Sequence, residues 1–124
     1  MKAVLVDNDD VPEILGWYKK HDFVIDEGLL PVRGFWVKDL ACAWLYESDS
    51  ALGQLGFPVI NPDAHKGHAF KALGVVFDKI HEVAKSLNMA IITTSFSHIS
   101  LQRLAGMKGY KMIDRNVETH WRVV

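Results

Sequence analysis

The sequence predicts a mixed α/β domain, on three observations. Short apolar runs predict five β-strands, at 3–6, 34–37, 41–46, 54–60 and 89–94. One long segment carries apolar residues at helical spacing, and it lies between the last two of these strands. A helix that crosses over between two neighbouring strands of one sheet requires those strands to be parallel. We therefore expect a mixed α/β sheet with both antiparallel and parallel strand pairs, flanked by about three helices.

The N-terminal part predicts a strand followed by a helix. The run Ala3–Val6 is apolar and short enough for one strand. Asp10 stands three residues before Glu13, which is a capping-box pattern, and Pro12 is tolerated in a first helical turn. The apolar residues that follow place this helix near 10–21.

The middle of the chain predicts a hairpin and a third strand. The strands 34–37 and 41–46 flank Lys38-Asp39, which indicates an antiparallel pair joined by a tight turn. The strand 54–60 ends at Asn61, because Pro62 pushes the residue before it toward an extended conformation.

The second half predicts the longest helix, from about 66 to 87, with Asn88 at its C-terminal end. Its apolar face is formed by Phe70, Leu73, Gly74, Phe77, Ile80, Ala84 and Leu87. A buried-looking strand over 89–94, a shorter helix at 98–107 and a Gly109-Tyr110 turn follow. Strands near 110–114 and 117–124 complete the prediction.

Length and composition restrict the class of protein. The chain has 124 residues, enough for one domain, and its 49% hydrophobic and 23% charged residues are typical of a globular protein. A net charge of −1 argues against nucleic acid as a partner bound by bulk electrostatics. Cys42 is the single cysteine, which excludes an intrachain disulfide and fits a reducing compartment. No apolar run approaches the roughly 20 residues of a membrane span, and the acidic start is no signal peptide. We expect a cytoplasmic domain with no membrane partner.

The junction between strand 54–60 and the long helix is the best candidate site. A helix N-terminus offers unpaired backbone N–H groups and a positive dipole end, which suit a phosphate. The small residues Gly67 and Ala69 allow a phosphate to approach the backbone, and Lys66 adds a positive charge. The alternative is an ordinary helix start that Asp63 caps.

Three segments in this order resemble the GNAT superfamily of acyl-CoA-dependent N-acyltransferases. Val59-Ile60-Asn61-Pro62 is similar to the strand beside the cofactor and its V-x-P-like exit. The segment 66–73 is similar to the K-G-x-G-x-x-A-L part of the family's pyrophosphate loop, Q/R-x-x-G-x-G/A. The segment 101–110 resembles a later family helix and its Gly-aromatic ending. The resemblance extends over almost the whole chain as topology and over about half of it as motif.

The resemblance implies a GNAT-like α/β fold, with a mostly antiparallel, twisted sheet and a central parallel strand pair. It also implies an acyltransferase that uses acetyl-CoA or another acyl-CoA. Parallel strands would separate near 58–60 and 93–95, where free backbone groups would pair with the pantetheine amides. Backbone amides of residues 67–70 would hold the pyrophosphate. The implied cofactor-binding residues are Pro58, Val59, Ile60, Lys66, Gly67, His68, Ala69, Phe70, Lys71 and His98. An amine of the acceptor would attack the thioester directly, with help from a base and from an acid for the thiolate.

Three positions depart from the family pattern. The Gln/Arg of the pyrophosphate loop falls on Ala64, although a different register places His65 there and loses both small residues. A frequent asparagine falls on His98, and the frequent tyrosine acid falls on Ala105, which cannot donate a proton. Either His98, Ser97 or Ser100 protonates the thiolate, or the thiolate leaves unaided, or catalysis is lost. Ser97 has the simpler alternative of capping the helix.

Other side chains have a functional and a plain interpretation. Glu47, at the end of strand 41–46, is either the general base or a solvated carboxylate. Trp36 and Trp44 either line an acceptor groove or belong to the core, and Cys42 is better explained as a small buried hydrophobe than as a nucleophile. Further acceptor-side candidates are Glu118 and His120. His65 and His68 lack a second ligand pair at zinc spacing, so no metal is expected.

We expect an N-acyltransferase whose acceptor is a small amine or an amine of a peptide or protein. The alternatives are a GNAT-like acyl-CoA-binding module without turnover and a protein-interaction domain without cofactor. Only about a dozen residues, 22–33, lie where longer family members place a second helix that walls the acceptor site. The resemblance therefore implies an open cleft, for a large or exposed acceptor or for completion by a partner subunit in a homodimer.

Overall fold

The structure is a computed structural model, and it describes residues 1–113 and Arg122. Eight helices and strands follow one another along the described part of the chain. They are β1 (Val4–Leu5), α1 (Val11–Lys20), β2 (Arg33–Val37), β3 (Ala41–Glu47), β4 (Leu52–Ile60), α2 (Lys66–Ser86), β5 (Ile91–Thr93) and α3 (Ile99–Met107). Single turns of 3₁₀ helix occur at Asn8–Asp10 and Glu27–Leu29.

The five strands form one sheet in the order β1-β2-β3-β4-β5. All neighbouring pairs are antiparallel except β4 and β5, which are parallel. The predicted fold class and the parallel pair are therefore confirmed. Ile60 pairs with Ala41 at the end where β4 leaves for α2, and we call this the α2 end of the sheet. Arg33 and Glu47 lie at the opposite end.

The sheet separates two apolar layers, because successive residues of a strand point to opposite faces. On β3, Ala43 and Leu45 pack with α2 and with Leu104 of α3. Cys42 and Trp44 point to the other face and pack with α1. Cys42 has no exposed surface, which confirms its interpretation as a buried hydrophobe.

All three helices end in the same hydrogen-bonded motif. The residue after each C-cap, Asp22, Asn88 or Gly109, has a positive φ of 60°, 61° or 89°. The next residue donates its N–H back to a carbonyl of the last turn, as Met89 does to Ala84 at 3.0 Å. The predicted terminal role of Asn88 is confirmed, since an asparagine tolerates this conformation better than most residues.

Several local predictions are wrong, and each has a physical reason. Asp10 makes no side-chain cap hydrogen bond for α1, because the 3₁₀ turn Asn8–Asp10 already leads into the helix. Asp63 does not cap α2 but forms an ion pair with Lys20. Ile91 is 60% exposed, since β5 forms an edge of the described sheet.

Only part of the two predicted C-terminal strands lies within the described residues. Residues 110–113 form no strand, whereas the remainder of 110–114 and the strand 117–124 lie outside the described residues, Arg122 excepted. The position of the parallel pair at the centre of a larger sheet stays a prediction. No helix in the described ranges combines the length and apolar character that a bilayer span needs.

Candidate active site

A cleft opens where the two parallel strands separate. The last paired residues are Gln54 and Thr93, and β4 continues to Ile60 without β5 beside it. Thr94 marks the point of separation, because its Oγ1 donates to the Leu55 carbonyl at 3.0 Å. The unpaired edge of β4 therefore runs about 17 Å from Leu55 to the α2 end of the sheet, at ~3.3 Å per residue.

The separation begins nearer the start of β4 than the sequence analysis expects. The predicted cleft edge is 58–60, but the strands already part after Gln54. Pro58 has no N–H to donate, and Val59 is buried. The separation first opens the backbone from Leu55 to Phe57, where the carbonyls of Leu55 and Phe57 already accept hydrogen bonds from Thr94 and Tyr18.

Phe57 lies in a β-bulge on this open edge. Its φ is 49°, a strained value for a non-glycine residue, and the strand register shifts opposite it between Cys42 and Trp44. The Tyr18 hydroxyl of α1 donates to the Phe57 carbonyl. Trp44 donates its indole N–H to the same hydroxyl at 3.0 Å. A chain of two hydrogen bonds thus fixes the bulge from α1 and β3.

The N-terminus of α2 follows directly after the open edge of β4. His65 is its N-cap, and the imidazole Nδ1 accepts the N–H of His68 at 3.3 Å. The ring also covers Gly67, where an added Cβ would lie 3.1 Å from His65 Cε1. Asp63 is thus not needed as a cap, and a histidine takes the place that an anion would occupy.

The available backbone amides are fewer than the sequence analysis expects. Ala69 donates its N–H to the His65 carbonyl at 2.9 Å, and Phe70 lies one position further into the helical ladder. Both amides are therefore unavailable to a phosphate, which corrects that part of the prediction. The amides of Lys66 and Gly67 have no partner among the described residues, and that of His68 becomes free once His65 rotates away.

The fold of this chain is similar to the folds of several proteins of known structure. No protein-family model and no curated protein matches the sequence. A probable acetyltransferase of known structure superposes with a TM-score of 0.76 at 10% sequence identity, over 100% of this chain and 99% of the other. A Mycobacterium tuberculosis protein solved in complex with CoA gives 0.72 at 16% identity, over 96% and 76%. An acetyltransferase of Trypanosoma brucei gives 0.69 at 12% identity, over 97% and 99%.

The chain has the GNAT fold. The separated strands β4 and β5, followed by the start of α2, are the part of this GNAT fold where the sequence resemblance places an acyl-CoA. The residues present fit such a ligand in kind: an open strand edge can pair with amides, and the exposed α2 start carries Lys66 and Lys71 beside its free amides.

His98 and Ser100 lie where the loop after β5 enters α3. His98 is the N-cap of α3, and its Nδ1 accepts the Ser100 N–H at 3.3 Å. Ser97 is therefore not the cap. The His98 side chain is exposed, and its Nε2 has no partner among the residues that the structure describes. This nitrogen remains available for proton transfer.

Glu47 lies at the opposite end of the sheet from α2. Arg33 Nε donates to its Oε2 at 2.7 Å, so the carboxylate is paired as well as solvated. Glu47 also lines a small cavity of about 170 Å³ with Gln54 and Thr93, the last paired residues of the parallel strands. The structure thus brings this candidate base to the point where β4 and β5 separate.

The remaining candidate residues differ in where the structure places them. Trp36 and Trp44 both belong to the core, at 2% and 3% exposed, and of the two only Trp44 also lines a cavity. Ala105 is buried on α3 and supplies no acid, as its side chain requires. Glu118 and His120 lie outside the described residues. Among the described residues, His, Cys, Asp and Glu form no cluster suited to a metal.

Sequence reasoning missed the polar residues that shape the cleft. Tyr18 and Thr94 each bond a carbonyl of β4 that lies 39 residues away, a separation that no local pattern reports. Burial raises the pKa of Tyr18 far above its ordinary value. Burial also raises the pKa of Tyr46 and Tyr110, so these phenols are neutral proton donors at physiological pH.

Proposed function

We propose that this protein transfers an acyl group, acetyl in the first instance, from an acyl-CoA to an amine. One observation carries the proposal: among the described residues no strand pairs with the β5 side of β4 after Gln54, and β4 leads straight to the exposed start of α2. An extended amide-bearing arm can pair with the strand edge while its diphosphate lies on the helix N-terminus.

The chain's residues have distinct roles in this proposal. The remaining free backbone groups between Leu55 and Phe57 face the pantetheine arm, while Thr94 and Tyr18 occupy the carbonyls of Leu55 and Phe57 and hold the bulged segment in place. Lys66 and Gly67 supply amides for the diphosphate, with His68 after His65 has moved. The acyl-CoA supplies an activated thioester carbonyl.

We assign proton transfer to Glu47, which lies beside the last paired residues of β4 and β5, and to His98, which begins α3. Glu47 accepts a proton from the acceptor amine through its free carboxylate oxygen, since Arg33 occupies the other. His98, once protonated at both ring nitrogens, donates its Nε2 proton to the departing thiolate; protonation of Nδ1 breaks its hydrogen bond with the Ser100 N–H, and Ser100 is the second candidate for the acid.

The test is thiol release from acetyl-CoA over a panel of small amines and lysine peptides. We expect turnover with at least one acceptor, lowered about 10²-fold or more in kcat by His98→Ala. Glu82→Gln, on the exposed side of α2, is the control and should leave kcat unchanged. Absence of turnover with every acceptor contradicts the proposal.

A second function is a GNAT-like module that binds acyl-CoA without turnover. Ala105 favours it, because this buried side chain cannot replace the tyrosine acid of the family pattern. Acetyl-CoA binding without thiol release from any acceptor supports this function, whereas turnover that depends on His98 excludes it.

A further inference from the structure

A second cavity lies on the α1 face of the sheet. It has a volume of about 320 Å³, within the size range of small-molecule sites. Its walls are the segment after β1, the start of α1 and the residues that precede β2. They are lined by Val6, Asn8, Val11, Glu27, Leu30, Pro31 and Val32, over Trp44.

The floor of this cavity is rigid. Trp44 is 3% exposed, and its indole N–H is bonded to Tyr18. The ring lies against Gly34, where an added Cβ would stand only 2.4 Å from it. A ligand therefore meets a preformed apolar surface and need not order it.

The charges around the cavity have one sign. Glu27 is the one ionisable group in its lining, and Asn8 is the one other polar side chain. The wall segments 6–11 and 27–32 contain no lysine or arginine, and Arg33, which follows them, is paired with Glu47. Their acids are Asp7, Asp9, Asp10 and Glu27. None of them forms an ion pair within the described part of the chain.

The cavity lies close to the point where the strands separate. Trp44 pairs with Gly56 of β4, the residue after Leu55, so their Cα atoms are about 5 Å apart. Tyr46 lies between the cavity and the cleft: its ring covers Gly56, and its hydroxyl donates to the Leu29 carbonyl at 2.8 Å. Leu29 belongs to the 3₁₀ turn that supplies Glu27.

We propose that this cavity holds one end of an aliphatic diamine, whose other end is the amine that is acylated. The inference rests on the proposed function. The ammonium at one end pairs with Glu27, and the methylene chain lies on Val11, Leu30 and Trp44. A monoamine can occupy the apolar walls or reach the thioester, but it leaves Glu27 unpaired when its nitrogen reacts.

The reaction is an ordinary acyl transfer. The neutral amine nitrogen at the far end forms a bond to the acyl carbon. The carbon–sulfur bond breaks, and its electron pair goes to sulfur. One proton leaves the nitrogen, and one proton is taken up by the thiolate, so charge and atoms balance. Glu27 takes no part in the chemistry, which makes it a specificity residue.

The experiment measures kcat/KM for α,ω-diaminoalkanes of three to eight carbons and for the monoamines of equal length. We expect a diamine of one length to be preferred at least about tenfold over its monoamine. Glu27→Gln should raise KM for that diamine about tenfold with kcat and the acetyl-CoA dissociation constant unchanged. Glu82→Gln removes a carboxylate from α2 on the other face and should change nothing.

A second variant keeps the test independent of stability. Val32 is 94% exposed, so Val32→Trp can fill the mouth of the cavity without disturbing the core. It should abolish the preference for the diamine and leave acetyl-CoA binding intact. Calorimetric titration of the cofactor-free protein with 1,6-diaminohexane, as wild type and as Glu27→Gln, measures the same contact without turnover.

The outcomes separate the two proposals. Acetyl-CoA binding with turnover of monoamines and diamines alike, unaffected by Glu27→Gln, overturns the diamine site and leaves acyl transfer standing. A second outcome is that the protein fails to bind acetyl-CoA but binds the diamine in a way that depends on Glu27. This outcome overturns acyl transfer and leaves the cavity as a diamine site. A preference for aromatic monoamines would also overturn the diamine site, if Val32→Trp removes that preference and Glu27→Gln leaves it unchanged.

Discussion

The hydroxyl of Tyr18 should matter more to this fold than any other exposed or buried phenol that the structure describes. It accepts from Trp44 and donates to Phe57, whose positive φ strains the open edge of β4. Tyr18→Phe keeps the ring and removes both hydrogen bonds. A buried indole N–H and a partly buried carbonyl then lose their partners, each at a cost of about 1–2 kcal/mol.

We therefore expect Tyr18→Phe to lower the free energy of unfolding by about 2–4 kcal/mol. At about 4 °C per kcal/mol for a domain of this size, Tm should fall by about 8–16 °C. Because the bulge loses its fixed conformation, KM for acetyl-CoA should rise more than kcat falls. Urea unfolding and steady-state kinetics measure the two effects.

Tyr46→Phe is the matched control for this prediction. Its hydroxyl also donates to a carbonyl, that of Leu29, but at the surface, where water can replace it. The expected loss is about 0.5–1 kcal/mol. The reasoning is refuted if Tyr18→Phe is no more destabilising than Tyr46→Phe, or if it leaves KM for acetyl-CoA unchanged.

Three further predictions concern the N-cap of α2, the residue after its C-cap, and the buried Cys42 thiol and Tyr18 phenol. His65→Asp should stabilise the fold by a few tenths of a kcal/mol, since aspartate is a better N-cap, yet weaken acetyl-CoA binding about tenfold or more by repelling the diphosphate. His81→Asp, further along α2, controls for charge, and equal affinities of the two variants would refute a diphosphate site at His65. Asn88→Gly should raise Tm by about 2–4 °C, because glycine adopts the φ of 61° without strain; a fall in Tm contradicts this. Burial raises the pKa of Cys42 and of Tyr18, so the unfolded chain loses these protons first and stability should fall as pH rises above about 9, by up to about 1.4 kcal/mol per pH unit for each group. Urea midpoints from pH 8 to 11 measure the slope, and Cys42→Ala should reduce it; an equal slope in that variant rejects the assignment.

The order of helices and strands could be predicted from the sequence because each has a local signal. The periodicity of α2, the turn at Lys38-Asp39 and the left-handed residues Asn88 and Gly109 depend on neighbours within a few positions. The helix starts were predicted less well, since aspartate is the usual cap and histidines take that place at both α2 and α3. Asp63 instead forms an ion pair with Lys20, a residue 43 positions earlier.

The candidate site could be predicted only in part. Gly67 and Lys66 at the start of α2 have a recognisable spacing, so the sequence indicates this segment as a candidate site for a diphosphate. The point where β4 separates from β5 could not be predicted from the sequence, because it depends on the register between Gln54 and Thr93 and on the bulge at Phe57. Glu27 and Trp44 lie 17 positions apart, and only the folding of the 22–33 segment onto the sheet brings them to one cavity.

Titration of the purified protein with acetyl-CoA by isothermal calorimetry tests the central claim most directly. The account predicts saturable binding of one acetyl-CoA per chain in the micromolar range, competed by CoA and weakened by His65→Asp but not by His81→Asp. Absence of binding at high-micromolar acetyl-CoA, from a protein that remains folded, would contradict the claim that the β4–β5 cleft and the start of α2 form an acyl-CoA site.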